Sequence, residues 1–274
     1  MRTIVLVGAT SGLGRLAARR LAAAGHRMVL IGRNPDRAAS LARELPAATV
    51  ITADVATGAG VARAAEQVAE TVDLVDTLVN NAGVMVPERR ITAEGMELNF
   101  AVHHLAPYSL TSHLLPLLRK GLGRVINVNS EGHRAPLRGP GPVELDFEDL
   151  QSSKVYDPFL VYSRTKLANL LFTYELHRRH PELTVAALHP GMVRTDLGRD
   201  FPLALRLLGS VMAGSTASGA DPVVRLAADE EINAGTYYNR FTPVTSSPAS
   251  LNRAVSERLW AETARLRGPF GQSG

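Results

Sequence analysis

The sequence predicts a doubly wound α/β fold: a parallel sheet of about seven strands with helices on both faces, in a single domain over 1–274. Three observations predict it. Short apolar runs rich in β-branched residues alternate with stretches of helical periodicity along the chain. The runs are apolar almost throughout, as strands covered on both faces are. The first run passes through a glycine-rich turn into the first helix.

TIVLV at 3–7 is the first strand, and RLAARRLAAAG reads as the helix that follows the glycines. HRMVLIG gives a second strand ending near Ile31, and NPDRAASLAREL a helix opened by Asn-Pro. TVITADV is the third strand, GVARAAEQVAETV a helix, and VDTLVNNAG a fourth strand running into a turn. FAVHHLAPYSLTSHLLPLLRK is a long helix that Pro107 and Pro116 are expected to bend. GRVINVNS is the fifth strand, VYSRTKLANLLFTYELHRR at 161–179 an amphipathic helix, LTVAALHPG the sixth strand and GTYYN at 235–239 the seventh.

Two stretches break this rhythm, 131–158, rich in Gly, Pro and Asp, and 192–220, which is apolar. Both leave the carboxyl ends of strands, where open α/β sheets bind ligands, so both are expected to wall a site. The acidic run ELDFEDL at 144–150 reads as a solvated loop or a helix start. The apolar segment 197–213 reads either as a lid for a bulky apolar substrate or as core or interface packing.

Composition narrows the function classes. Hydrophobic residues make up 45% and charged residues 20%, an ordinary globular balance. The net charge of +4 comes from arginines spread singly, so no basic stripe points to nucleic acid. There is no cysteine, which excludes disulfides and thiolate metal sites. The N-terminal apolar run meets glycines rather than a cleavage site, and no stretch reaches the roughly eighteen apolar residues of a membrane span. A cytoplasmic protein without stable membrane insertion is expected.

The turn GATSGLG at 8–14 carries the first chemical signal. Gly8 permits a tight turn, while Gly12 and Gly14 permit close approach of a pyrophosphate and of helix to strand. Backbone N–H groups of Thr10, Ser11 and Leu13 would face the phosphates at the helix N-terminus. The second strand ends in Gly32 and Arg33, with no acid to hold ribose hydroxyls. Arg33 can pair with a 2′-phosphate, aided by Arg15, so NADP(H) is expected over NAD(H). Asp54, with Val55, is expected beside the adenine; its bland role is a turn or helix cap.

Tyr162 and Lys166 are four apart on one helix and so share a face. A free tyrosine titrates near pH 10, too high for acid–base work near neutrality. A neighbouring cation lowers that value, so the pair is expected to act together. Ser130 stands at the end of the fifth strand, beyond which ligands of open α/β sheets bind. His103, His104, His133 and His189 show no metal-ligand spacing and are expected at the surface or in packing.

These motifs, taken in order, resemble the short-chain dehydrogenase/reductase family over nearly the whole chain. The resemblance rests on GATSGLG, ADV at 53–55, NNAG at 80–83, LNF around Asn99, INVNS ending at Ser130, YSRTK at 162–166 and HPGMVRT at 189–195. TKLANLLFTYEL is similar to the retinol-dehydrogenase-like branch. The resemblance implies a Rossmann-type fold and a catalytic tetrad of Asn99, Ser130, Tyr162 and Lys166, with Asn99 supporting a proton path. It implies cofactor contacts from Asn81, Ala82 and Gly83, and from Pro190, Gly191, Val193 and Thr195 at the nicotinamide end.

It further implies hydride transfer between NADP(H) and a small-molecule carbonyl or alcohol. Two departures stand out. Asn129 replaces the first of the family's paired serines. The gap from Ser130 to Tyr162 is long, and the insertion lies where other members use a helix face to dimerise, so a monomer or homodimer is expected. The rival readings are a non-catalytic NADP(H)-binding sensor and a nucleotide-sugar epimerase or dehydratase. The latter enzymes carry a G-x-x-G-x-x-G turn instead.

Overall fold

The computed structural model describes residues 1–136, 141–191, 200–201, 216–229 and 231–272. The proposed lid at 197–213 and the cofactor contacts Val193 and Thr195 lie almost wholly outside the described residues, which include only Asp200 and Phe201 of that stretch.

The strands are β1 (Thr3–Val7), β2 (Arg27–Gly32), β3 (Thr49–Thr52), β4 (Thr77–Asn80), β5 (Arg124–Val128), β6 (Thr184–His189), β7 (Thr236–Asn239) and β8 (Thr242–Val244). They form one sheet in the order β3-β2-β1-β4-β5-β6-β7-β8. The first seven run parallel and β8 pairs antiparallel with β7. The seven expected strands are thus present, and β8 is an addition. It is three residues of which one is proline, too short and too exposed to show alternation. The direction of winding reverses between β1 and β4, and the glycine turn after Val7 opens at that reversal.

Side chains alternate across each strand, which builds two cores. Ile4, Leu6, Met28 and Leu30 face α1 (Gly12–Ala23), α2 (Pro35–Glu44) and α7 (Thr216–Ala228), packing against Ala17, Leu21, Leu41 and Val223. Val5, Val7 and Val29 face α3 (Gly58–Thr71), α5 (Ala106–Lys120) and α6 (Pro158–Arg179), packing against Val61, Val68, Leu114, Leu118 and Phe172. Each such side chain contributes about 1.5–3 kcal/mol by leaving water.

The long helix before β5 starts as α4 (Leu98–Phe100), passes through a π-helical turn at Ala101–Leu105, and continues as α5. The distortion falls ahead of Pro107, which has no N–H to return to the preceding turn. The His103 carbonyl accepts instead from Asn169 Nδ2 at 2.8 Å. This irregularity sets the side chains of Asn99 and His103.

The outer face of α6 is covered twice. The insert brings Val143, Leu145, Phe147 and Leu150 onto Phe100, Leu167 and Leu171. The run 144–150 is therefore a loop with its apolar residues turned inward, while Asp149 accepts from the backbone of Ser153 and Lys154. A further helix, α8 (Arg253–Arg267), supplies Leu259 and Trp260. Trp260 stacks on Phe172 and meets Tyr108 and Phe270 edge to face or tilted, with the Arg179 guanidinium 5.0 Å from its ring centre. Among the described residues no helix is long and apolar enough to cross a membrane.

Candidate active site

The carboxyl ends of β1, β4, β5 and β6 converge at the reversal of the sheet. The turn after β1 is packed so closely that side chains are excluded. A Cβ on Gly14 would lie 2.2 Å from the Gly8 carbonyl oxygen and 2.5 Å from Asn81 Nδ2. A Cβ on Gly8 would meet Ala82 Cα at 2.8 Å, and φ there is +75°. Asn81 Nδ2 donates to the Val7 and Gly8 carbonyls, at 3.2 Å each, so NNAG buttresses the turn. Thr10 is buried against Gly32, where a Cβ would stand 2.2 Å from Thr10 Cγ2.

Helix α1 begins at Gly12 after Ser11, whose side chain makes no cap hydrogen bond. In α2, α3 and α6 the cap side chains of Asn34, Thr57 and Asp157 accept the first N–H groups. The first-turn donors of α1, beside Leu13, are the ones a diphosphate needs. The close-packed glycine turn and the uncapped helix fit a dinucleotide.

Arg33 is exposed at the end of β2 and makes no ion pair among the described residues. Arg15 does not stand ready beside it. Its guanidinium donates to Glu44 Oε2 at 2.7 Å and to Ser40 Oγ at 3.1 Å, because the acid at the end of α2 is the nearest opposite charge. Asp54 is exposed and accepts from the Ala56 N–H at 3.1 Å, so in this chain it is a turn residue, next to buried Val55. Pro190 and Gly191, the latter at φ +93°, follow β6.

Tyr162, on the second turn of α6, is 5% exposed. Burial pushes its pKa up to about 12, opposed by a hydrogen bond with Ser130. Lys166 is equally buried, and burial pulls its pKa down to about 7. Its Nζ donates to the Val128 carbonyl at 2.9 Å and stands 5.8 Å from the Tyr162 ring centre. The expected lowering of the tyrosine by the lysine is therefore not seen. Spacing places the two on one face, but loss of water dominates both groups.

Ser130 follows β5, its hydroxyl accepting from the Gly132 N–H at 3.1 Å. Asn129 explains its departure from the paired serines. Its Oδ1 accepts from the Ser130 N–H at 2.7 Å, and its Nδ2 donates to the Lys166 carbonyl and to Asn169 Oδ1. One side chain thereby ties the serine to the tyrosine–lysine helix.

Asn99 is buried in α4 but not joined to Lys166 by any hydrogen bond among the described residues. Its Nδ2 donates to Glu97 Oε1 at 2.7 Å and to Tyr156 Oη at 3.1 Å, and its Oδ1 has no partner. Tyr156, from the insert, donates in turn to the Val86 carbonyl. Glu97 caps α4, accepting from the N–H groups of Asn99 and Phe100.

Sequence reasoning missed Asn129, Asn169, Glu97 and Tyr156. A signal existed for the first: an asparagine against a doubly buried strand must find partners. Of the two roles expected for the histidines, the structure gives them packing. His103, His104, His133 and His189 are all buried, at 1%, 1%, 0% and 9% exposure, and none is a surface residue. Thr165, Thr263 and Ser247, which pair with His103, His104 and His133, lie far away in sequence, which spacing does not reveal.

Comparison with known proteins identifies the family and the fold. The model of the short chain dehydrogenase family matches residues 2–139. Human retinol dehydrogenase 13 is 33% identical over 97% of this chain and 85% of its own. A Streptomyces sp. (strain C5) protein proposed to be a daunorubicin C-13 ketoreductase is 33% identical over 97% of this chain and 93% of its own. The crystal structure of an uncharacterized protein from Mycobacterium paratuberculosis superposes with a TM-score of 0.79 at 30% identity, covering 100% of this chain and 96% of that one. The Pseudomonas aeruginosa RhlG/NADP complex shares the fold, with a TM-score of 0.68 at 22% identity over 91% and 96% of the two chains. Matched by the family model, and by relatives over nearly its full length, the chain belongs to the short-chain dehydrogenase family and is an alcohol/carbonyl oxidoreductase.

Proposed function

We propose that this protein, as one domain over 1–274, transfers hydride between NADP(H) and a bulky, apolar alcohol/carbonyl pair. The observation that carries the reading is that Asn129 ties Ser130 to the helix bearing buried Tyr162 and Lys166, whose Nζ donates to the Val128 carbonyl. Bound at the glycine turn, the nicotinamide cofactor supplies the hydride. Ser130 orients and polarises the substrate oxygen. Tyr162 gives its proton to that oxygen in reduction and takes one back in oxidation. Lys166, in its protonated form, favours the tyrosinate against the burial that opposes it, while Asn99 holds the insert against α4 and supports proton return. The bulky substrate is supported by two relatives named for retinol and for daunorubicin, and by the apolar run at 197–213. Arg33, and the absence of an acid at the end of β2, support NADP(H) over NAD(H).

The test is consumption of NADPH with a panel of lipophilic ketones and aldehydes. Tight NADPH binding without turnover on any of them would support a sensor instead. Arg33→Ala separates the cofactors. Titrations should show NADPH affinity falling about tenfold, since a charge-assisted bond is lost, with NADH affinity unchanged. An equal fall for both would remove Arg33 from the 2′-phosphate.

The site also predicts a pH dependence that differs between the two directions: flat for reduction, rising for oxidation. Reduction needs Tyr162 protonated, and its raised pKa of about 12 keeps it so through neutrality. Oxidation needs the tyrosinate, so its rate should climb as pH rises. Rates in both directions between about pH 6 and pH 10 should diverge in this way. An oxidation rate flat across that range would count against Tyr162 as the titrating base.

A further inference from the structure

Two buried histidines outside the proton-handling group are joined to it. His103, in the π-helical turn, receives the Val84 N–H on Nε2 at 3.1 Å. A backbone N–H only donates, so Nε2 is bare and Nδ1 carries the proton of the neutral ring. Nδ1 lies 2.8 Å from Thr165 Oγ1, and Thr165 sends its own hydrogen to the Tyr162 carbonyl at 2.9 Å. The His103 ring also stands edge-on to the Tyr162 ring, 5.4 Å between centres at 89°.

His133 repeats the scheme on the serine side. Its Nε2 receives the Ser247 N–H at 3.2 Å, and its Nδ1 lies 2.7 Å from the Ser130 carbonyl oxygen, which can only accept. The Tyr237 ring packs edge-on at 4.8 Å, its hydroxyl donating to Glu131 Oε1.

We propose that His103 and His133 are positioning residues, each locked in the Nδ1–H tautomer, that hold Tyr162 and Ser130 in register with each other. The proposal rests on the proton-handling roles assigned above to Tyr162 and Ser130. Only a neutral imidazole places one acceptor and one donor on opposite sides of a rigid ring. His103 thereby couples the loop after β4 to the tyrosine turn of α6. His133 couples the end of β5 to the segment before Pro248. Burial favours the neutral ring in both. For His103 the Lys166 ammonium adds to that effect. For His133 Arg134 adds to it, while the Ser130 carbonyl and Glu131 oppose it.

Asparagine and glutamine variants divide the two halves of each link. Asparagine places an amide N–H near the Nδ1 position, keeping the donor to Thr165 or to the Ser130 carbonyl. Glutamine reaches the Nε2 position, keeping the acceptor for Val84 or Ser247 and losing the donor. His103→Gln and His133→Gln should each lower kcat by about 10- to 100-fold, with KM and NADPH affinity unchanged, because a small misplacement of reacting groups is costly. His103→Asn and His133→Asn should retain kcat within about threefold.

Equal kcat in all four variants, or losses that merely follow thermal stability, would overturn the proposal. Ring-nitrogen NMR of histidine-labelled wild type gives a readout independent of activity: a charged ring or an Nε2–H tautomer at neutrality would also overturn it. A wild type inactive on every carbonyl would sink the proposed function instead. The Tyr162 13Cζ resonance then decides: displaced in His103→Gln but not in His103→Asn, it supports the link, and unmoved in both, it refutes it.

Discussion

Tyr162→Phe is expected to lower kcat by about 10²–10⁴-fold, the usual contribution of a positioned general acid. The substitution removes one oxygen and keeps the ring, so the edge-on contact with His103 survives and the fold should be unaffected. NADPH affinity should change little, because that hydroxyl acts on the substrate rather than on the phosphates. The expected pattern is therefore an equal loss in kcat and kcat/KM with binding intact, the signature of a group used in the transition state. Steady-state kinetics with the best lipophilic carbonyl and a fluorescence titration of NADPH would measure both. A phenylalanine variant retaining more than about a tenth of wild-type turnover would move the proton donor elsewhere, with Ser130 the neighbour to examine.

The second large effect is expected at Gly14→Ala. The added Cβ would collide with the backbone of Gly8 at 2.2 Å and with Asn81, and backbone cannot step aside as the end of a flexible side chain can. Overpacking of this kind costs about 1–3 kcal/mol of stability, and displacing the start of α1 should remove most NADPH binding. Gly25→Ala is the matched control. Gly25 has φ +82° but open space around it, so alanine there carries only backbone strain, about 1 kcal/mol, far from the cradle. Thermal unfolding and NADPH titration of the two variants should separate. NADPH binding at wild-type strength in Gly14→Ala would refute the cradle.

Much of this was legible in the sequence. Strands buried on both faces write themselves as β-branched apolar runs, so β1 to β7 could be read in order, and the residues just past their carboxyl ends marked the site. What was not legible depends on contacts across the fold. Helix α8 is too polar to show a strong apolar stripe, and β8 too short to show alternation. The i,i+4 spacing of Tyr162 and Lys166 located the pair. The direction of their shifts came from burial, which spacing does not contain. His103 and His133 looked unremarkable because three of their four partners, Val84, Thr165 and Ser247, lie between 19 and 114 residues away.

The aromatic seal over α5 and α6 has a consequence for how the molecule is made. Trp260 and Phe270 cover Tyr108 and Phe172, yet they are translated between 88 and 162 residues later. On the ribosome, every group of the proton-handling site emerges before the helix that shields the back of its scaffold. A nascent chain held short of Arg253 would carry Ser130, Tyr162 and Lys166 while presenting Phe172 and Leu171 to chaperones and proteases. Docking of α8 is thus the late step that takes this apolar face out of water.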